Sequence, residues 1–141
     1  MTMEYSVYSV LFFMGASIGS FLNVVISRLP AGESVVRPRS RCPACRAPIA
    51  WYDNIPIVSY LVLQGRCRRC HGRISPLYPL VETAMGGVTL AIFYWFGFSF
   101  ATPGFLFFAA SLVAVTVIDA CHQIIPDVIS LPGIAAGFAF S

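Results

Sequence analysis

The stretch VYSVLFFMGASIGSFLNVVI, Val7 to Ile26, decides the fold. It contains 20 residues and no charge, and about 20 apolar helical residues are what one bilayer crossing requires. A secretory signal peptide would carry basic residues ahead of a shorter apolar core, whereas Glu4 is the only charge upstream here. The stretch therefore predicts an uncleaved spanning helix. Within it Gly15 and Gly19 stand four residues apart, beside Ala16, Ser17 and Ser20. Small residues at that spacing let a second helix approach closely. Asn23 is an amide at membrane depth and needs a partner on a neighbouring helix or in a polar cavity.

The rest of the chain extends this reading. Of 141 residues, 57% are hydrophobic and 11% charged, and the mean hydropathy is +0.78. Soluble domains carry roughly 25% charged residues. The shortfall excludes disorder, nucleic-acid binding and most water-soluble enzymes. A second apolar run covers Leu80 to Phe100, with Glu82 near its start. A third covers Phe105 to Ile118, after a break at Thr102, Pro103 and Gly104, and Asp119 lies at its far end. A fourth, Val128 to Phe140, is interrupted by Pro132 and is too short to cross. The expected fold is an all-α membrane protein with three complete transmembrane helices and a truncated fourth, hence a truncated or incomplete protein. It divides into residues 1–28, the first helix; 29–79, a loop domain; and 80–141, the remaining helices.

All nine basic residues are arginines, and all lie between Arg28 and Arg73. Only Glu33 and Asp53 oppose them there, leaving that segment at +7. Short arginine-rich loops stay in the cytoplasm. The N-terminus is then outside, and Glu82 and Asp119 share the cytoplasmic face with the loop.

Four of the five cysteines form Cys42-Pro-Ala-Cys45 and Cys67-Arg-Arg-Cys70, separated by 21 residues. Paired Cys-x-x-Cys knuckles near this spacing point to a four-sulfur zinc site. Such a site is structural, because sulfur fills all four positions and leaves none for water or substrate. A pair of disulfides is the competing reading, and a reducing cytoplasm argues against it. The flanking arginines favour thiolate over thiol. His71 adjoins Cys70 and reads as a surface histidine, four thiolates already satisfying zinc. The segment from Ile49 to Leu61 carries aromatic and aliphatic residues that pack on the zinc unit or lie at the membrane surface.

Asp119 is the candidate catalytic residue, since ionisable groups at the margin of a span are expensive and usually functional. The alternative is a helix-end acid paired to an interfacial arginine. Peptide hydrolysis by carboxylates uses two acids sharing a proton, and neither Asp127 nor Glu82 is a convincing second. Asp127 is better placed to cap the helix after Pro126. Cys121 and His122 are adjacent, about 100° apart on a helix, and do not make a nucleophile pair.

Taken together, these residues resemble the type IV prepilin peptidases, which are bifunctional leader peptidases and N-methyltransferases of the bacterial inner membrane. The matching pieces are Gly19 to Val25 with Arg28-Leu-Pro30, the two knuckles, Trp51 to Leu61, Ile74 to Glu82, Ile118-Asp119 and Ile125-Pro-Asp127. The resemblance covers nearly the whole chain. It implies an aspartic membrane protease whose first catalytic aspartate matches Asp119 and whose second lies in a Gly-x-Gly-Asp motif on a later helix. It implies prepilin or pseudopilin substrates, cleaved after a leader glycine at the cytoplasmic face, and methylation of the new N-terminus by S-adenosylmethionine. The N-terminus would then be periplasmic. No Gly-x-Gly-Asp occurs in the 141 residues, and Cys121 stands where many members have a further acid. The chain is therefore expected to be inactive alone, with a partner chain or a missing C-terminal half supplying the second aspartate. The rival expectation is a non-catalytic zinc-loop membrane adaptor of a pilus or secretion system. No glycine-rich nucleotide loop places the methyl donor.

Overall fold

A computed structural model describes residues 2–37, 39–123 and 127–140. They form helices α1 (Thr2–Arg28), α2 (Val58–Val62), α3 (Leu77–Phe96), α4 (Thr102–His122) and α5 (Asp127–Phe140), with a 3-10 turn at Trp51–Asn54. Among the described residues there is no strand, only two isolated bridges. Among the described residues three helices are long and apolar enough to cross a membrane: Tyr5–Arg28 within α1, then α3 and α4. The fourth apolar run forms α5, whose 14 residues make a rod of roughly 21 Å at 1.5 Å per residue.

Helix α1 packs chiefly against α3, and α4 closes on both. The contact is set by the two glycines. A Cβ on Gly19 would stand 2.7 Å from the Glu82 Cα and 2.9 Å from the Val81 carbonyl oxygen. One on Gly15 would overlap Thr89 and the Met85 carbonyl. Backbone thus meets backbone at both positions, as their spacing predicts. Below this contact Leu22, Ile26, Val81, Met85, Ala114 and Ile118 form the buried core.

The second and third spans begin earlier than the apolar runs suggest. Helix α3 starts at Leu77, with Pro79 in its first turn, where a missing N–H loses no helical bond. The Thr102-Pro103-Gly104 break is itself the start of α4, with Pro103 in the first turn. Thr102 Oγ1 donates to the Gly97 carbonyl at 2.8 Å and accepts from the Ser99 N–H. That buried hydroxyl staples the α3–α4 hairpin. Helix α4 ends at His122, before Pro126, with Gln123 in the left-handed region at φ 54. Residues 124–126 lie outside the described residues.

Candidate functional site

Each Cys-x-x-Cys builds the same small hairpin. The Cys42 N–H donates to the Ala47 carbonyl at 3.0 Å and the Arg46 N–H to the Cys42 carbonyl at 2.8 Å. In the second knuckle the Cys67 N–H donates to Gly72 at 2.9 Å and His71 N–H to Cys67 at 3.0 Å. The residue four after each first cysteine, Arg46 or His71, has φ 56. His71 is thus the turn residue equivalent to Arg46, and it is exposed.

The two knuckles face one another. The Sγ atoms of Cys42, Cys45, Cys67 and Cys70 all lie within 4.8 Å of each other, with Cys42 and Cys70 at 3.8 Å. Zn–S bonds of about 2.3 Å in a tetrahedron put sulfurs about 3.8 Å apart, and a disulfide would need about 2.0 Å. The four cysteines are free thiols and could hold one metal ion. Backbone N–H groups of Cys70 and Arg69 pull the Cys67 thiol down to about 6. At Cys70 the Gly72 N–H also favours thiolate, but desolvation and the neighbouring sulfurs outweigh it and push that thiol up to about 11. Cys67 is thus a ready thiolate, whereas Cys70 holds its proton more tightly.

The segment between the knuckles is bolted to both sides. Arg68 holds Asp53 bidentately, Nε to Oδ2 at 2.9 Å and Nη2 to Oδ1 at 2.6 Å. Its hydrogen bonds and charge hold the Asp53 carboxyl below the usual carboxylate range. The same guanidinium lies 5.5 Å from the centre of the Tyr52 ring. Buried Ser59 accepts from the Ile55 N–H at 3.0 Å and donates to the Tyr52 carbonyl at 2.9 Å.

Two buried polar residues of the spans lie beneath this segment, and Glu82 is the one that bonds it. Asn23 Nδ2 donates to the Tyr78 carbonyl at 3.0 Å, joining α1 to the start of α3. Glu82 is 7% exposed, and its Oε2 accepts the Ile57 N–H at 2.7 Å. Ile57 sits at φ 62, a genuine outlier for a β-branched residue.

Between cap and helices lies a cavity of about 500 Å³. Its floor is Ser20 and Asn23 of α1 with Tyr78 and Glu82 of α3; its roof includes Cys42, Cys67 and Arg69. Asp119 is not among its lining residues. Ile118 is fully buried in the core, which turns the next residue outward, and Asp119 is exposed in the last turn of α4. Its carboxylate has no ion pair among the described residues. Asp127 opens α5 and is exposed. The structure thus unites the four cysteines, leaves Asp119 apart from them, and adds Glu82, Asn23 and Ile57. Glu82 and Asn23 are conspicuous in the sequence as polar groups in apolar runs; Ile57 carries no such signal.

Residues 13–96 match the model of the bacterial peptidase A24 N-terminal domain. The chain belongs to this family. The chain is 46% identical over 131 residues to a Myxococcus xanthus protein named prepilin leader peptidase/N-methyltransferase, covering 93% of this chain and 39% of that protein. Proteins of the same name from Klebsiella pneumoniae and Neisseria gonorrhoeae are 42% and 39% identical, covering 94% and 91% of the chain and 61% and 53% of the relative. The A24 chain therefore spans about two to three fifths of the length of these relatives. No solved structure matches it.

Proposed function

We propose that this chain is the metal-capped portion of a prepilin leader peptidase/N-methyltransferase of the bacterial inner membrane. The observation that carries the reading is 46% identity across 93% of the chain to a relative of that name. The substrates are type IV prepilins or pseudopilins. The arginine-rich loop lies in the cytoplasm and the N-terminus in the periplasm, as the charge bias argues.

Asp119 is the first catalytic aspartate. Its exposed place at a helix end suits a residue that meets a second carboxylate, the pair then sharing a proton so that one activates water and one polarises the scissile carbonyl. That second aspartate comes from outside the 141 residues, and the chain alone does not cleave. Cys42, Cys45, Cys67 and Cys70 hold one structural zinc, which ties together a loop too small to fold on its own core. S-adenosylmethionine supplies the methyl group for the new N-terminus.

Processing of prepilin in a peptidase-deficient strain tests the reading. The chain is supplied there together with the remaining helices of a relative. Asp119→Asn should abolish leader cleavage while the protein still accumulates in the membrane. Unchanged cleavage in that variant would instead favour the non-catalytic adaptor.

A further inference from the structure

We propose that the cavity beneath the cysteine-tied cap is the methyl-donor site, with the Glu82 carboxylate facing the donor's sulfonium. The inference rests on the N-methyltransferase half of the function above and places that activity on this chain's own residues.

Glu82 is the starting point. It is 7% exposed and sits on a helix that is otherwise uncharged. Its partners are dipoles, the Ile57 N–H at 2.7 Å and the Ser20 hydroxyl. Among the described residues the one ion pair is Arg68 with Asp53, so no guanidinium neutralises Glu82. A buried carboxylate without a counter-charge is costly, and at the edge of a membrane span it marks a functional site. Glu82 lines the cavity, so the missing cation belongs to whatever fills that space.

The other walls narrow the ligand. Arg41, Arg69 and Arg73 line the same cavity and have no acidic partner among the described residues. Guanidinium forks suit a carboxylate. Tyr60 and Tyr78 also line it, and tyrosine faces take a cation or a flat heteroaromatic ring. The volume of about 500 Å³ falls within the range of about 300–1,000 Å³ typical of small-molecule sites. A cationic centre, a carboxylate and a flat base joined in one small molecule describe a sulfonium nucleoside, S-adenosylmethionine. A peptide α-amine alone would answer Glu82 but leave the arginines and tyrosines unused.

The test is equilibrium binding to the full chain, purified with zinc in detergent. The probes are S-adenosylmethionine and S-adenosylhomocysteine, which differ by one methyl group and by the positive charge on sulfur. The wild-type chain should bind the sulfonium form saturably and more tightly than the neutral thioether. Glu82→Gln keeps an oxygen to accept the Ile57 N–H but removes the charge. It should weaken S-adenosylmethionine by about thirtyfold or more, as expected for losing one partner of a buried charge pair. S-adenosylhomocysteine should change by no more than about twofold, and zinc content should be unaltered. A purely architectural Glu82 would weaken both probes equally, and that result overturns the assignment. So does the absence of saturable binding by a zinc-loaded chain, or binding of a free-amine pilin peptide in place of either nucleoside. Asp119-dependent prepilin processing without donor binding removes the cavity assignment alone. Loss of both removes the functional reading with it.

Discussion

Ile57 sits at φ 62 and donates its N–H, in a part-buried hydrogen bond, to a carboxylate 25 positions away. Such a backbone state costs about 1–3 kcal/mol and persists only where its surroundings over-determine it. Glu82→Ala would remove the acceptor and leave a part-buried N–H without its partner, a loss of about 1 kcal/mol. Faster protease nicking of the 49–61 segment in Glu82→Ala, with Glu82→Gln close to wild type, is the expected outcome. The Asp53–Arg68 pair acts on the same segment with a pH signature. Its folded-state carboxyl lies below the ordinary value of 3.8, so the stabilisation is present above that value and disappears as pH falls through the lowered one. An exposed pair contributes at most about 1 kcal/mol. The difference in nicking rate between wild type and Asp53→Asn should therefore be small at neutral pH and vanish in acid. A difference that grows on acidification would contradict this sign. At this scale Asp119 and the four cysteines are legible as unusual residue types. The Glu82–Ile57 bond is not, because only three-dimensional proximity joins them.

Helix by helix, the agreement between sequence and structure follows the physics of each signal. Gly15 and Gly19 are readable because close helix approach demands small residues at a four-residue spacing. Gly19→Val should separate α1 from α3 and cost about 1–3 kcal/mol or more through overpacking. Gly87 has nothing within 4 Å of its added Cβ, so Gly87→Ala should stay within about 0.5 kcal/mol. Unfolding midpoints in detergent distinguish the two, and equal effects would mean that the glycine contact is not where the helices meet. Helix starts are less legible. Hydropathy marks where lipid-compatible residues begin, whereas α3 and α4 start in proline-bearing turns, so Leu77 and Thr102 precede the apolar runs.

Across the whole molecule, the cysteine cluster draws together the two ends of the basic loop that connects α1 to α3. Zinc removal by a strong chelator should expose the 41–73 segment to protease while the spanning helices keep their circular-dichroism signal. Binding should release protons, because a thiol pushed up to about 11 must become thiolate to ligate. Apparent zinc affinity should therefore rise with pH between about pH 6 and 8, and fall steeply below the point near 6 where Cys67 also takes up its proton. Competition against a chromophoric chelator measures this; a pH-independent affinity would argue against thiolate ligation. Cys42→Ser should lower affinity in the same assay.

The sequence by itself determined the number of membrane-length helices, the basic loop between the first two, the four converging sulfurs and the acid at the end of the third span. Each of these rests on residue type and short-range spacing, and both survive in one dimension. Tertiary structure alone decided that Asn23 and Glu82 lie under the cysteine cap, that a cavity opens between them, and that Asp119 stands away from it. Those relations join residues tens of positions apart through packing, and the packing is fixed by backbone approach at two glycines and by where buried Ile118 turns its neighbour.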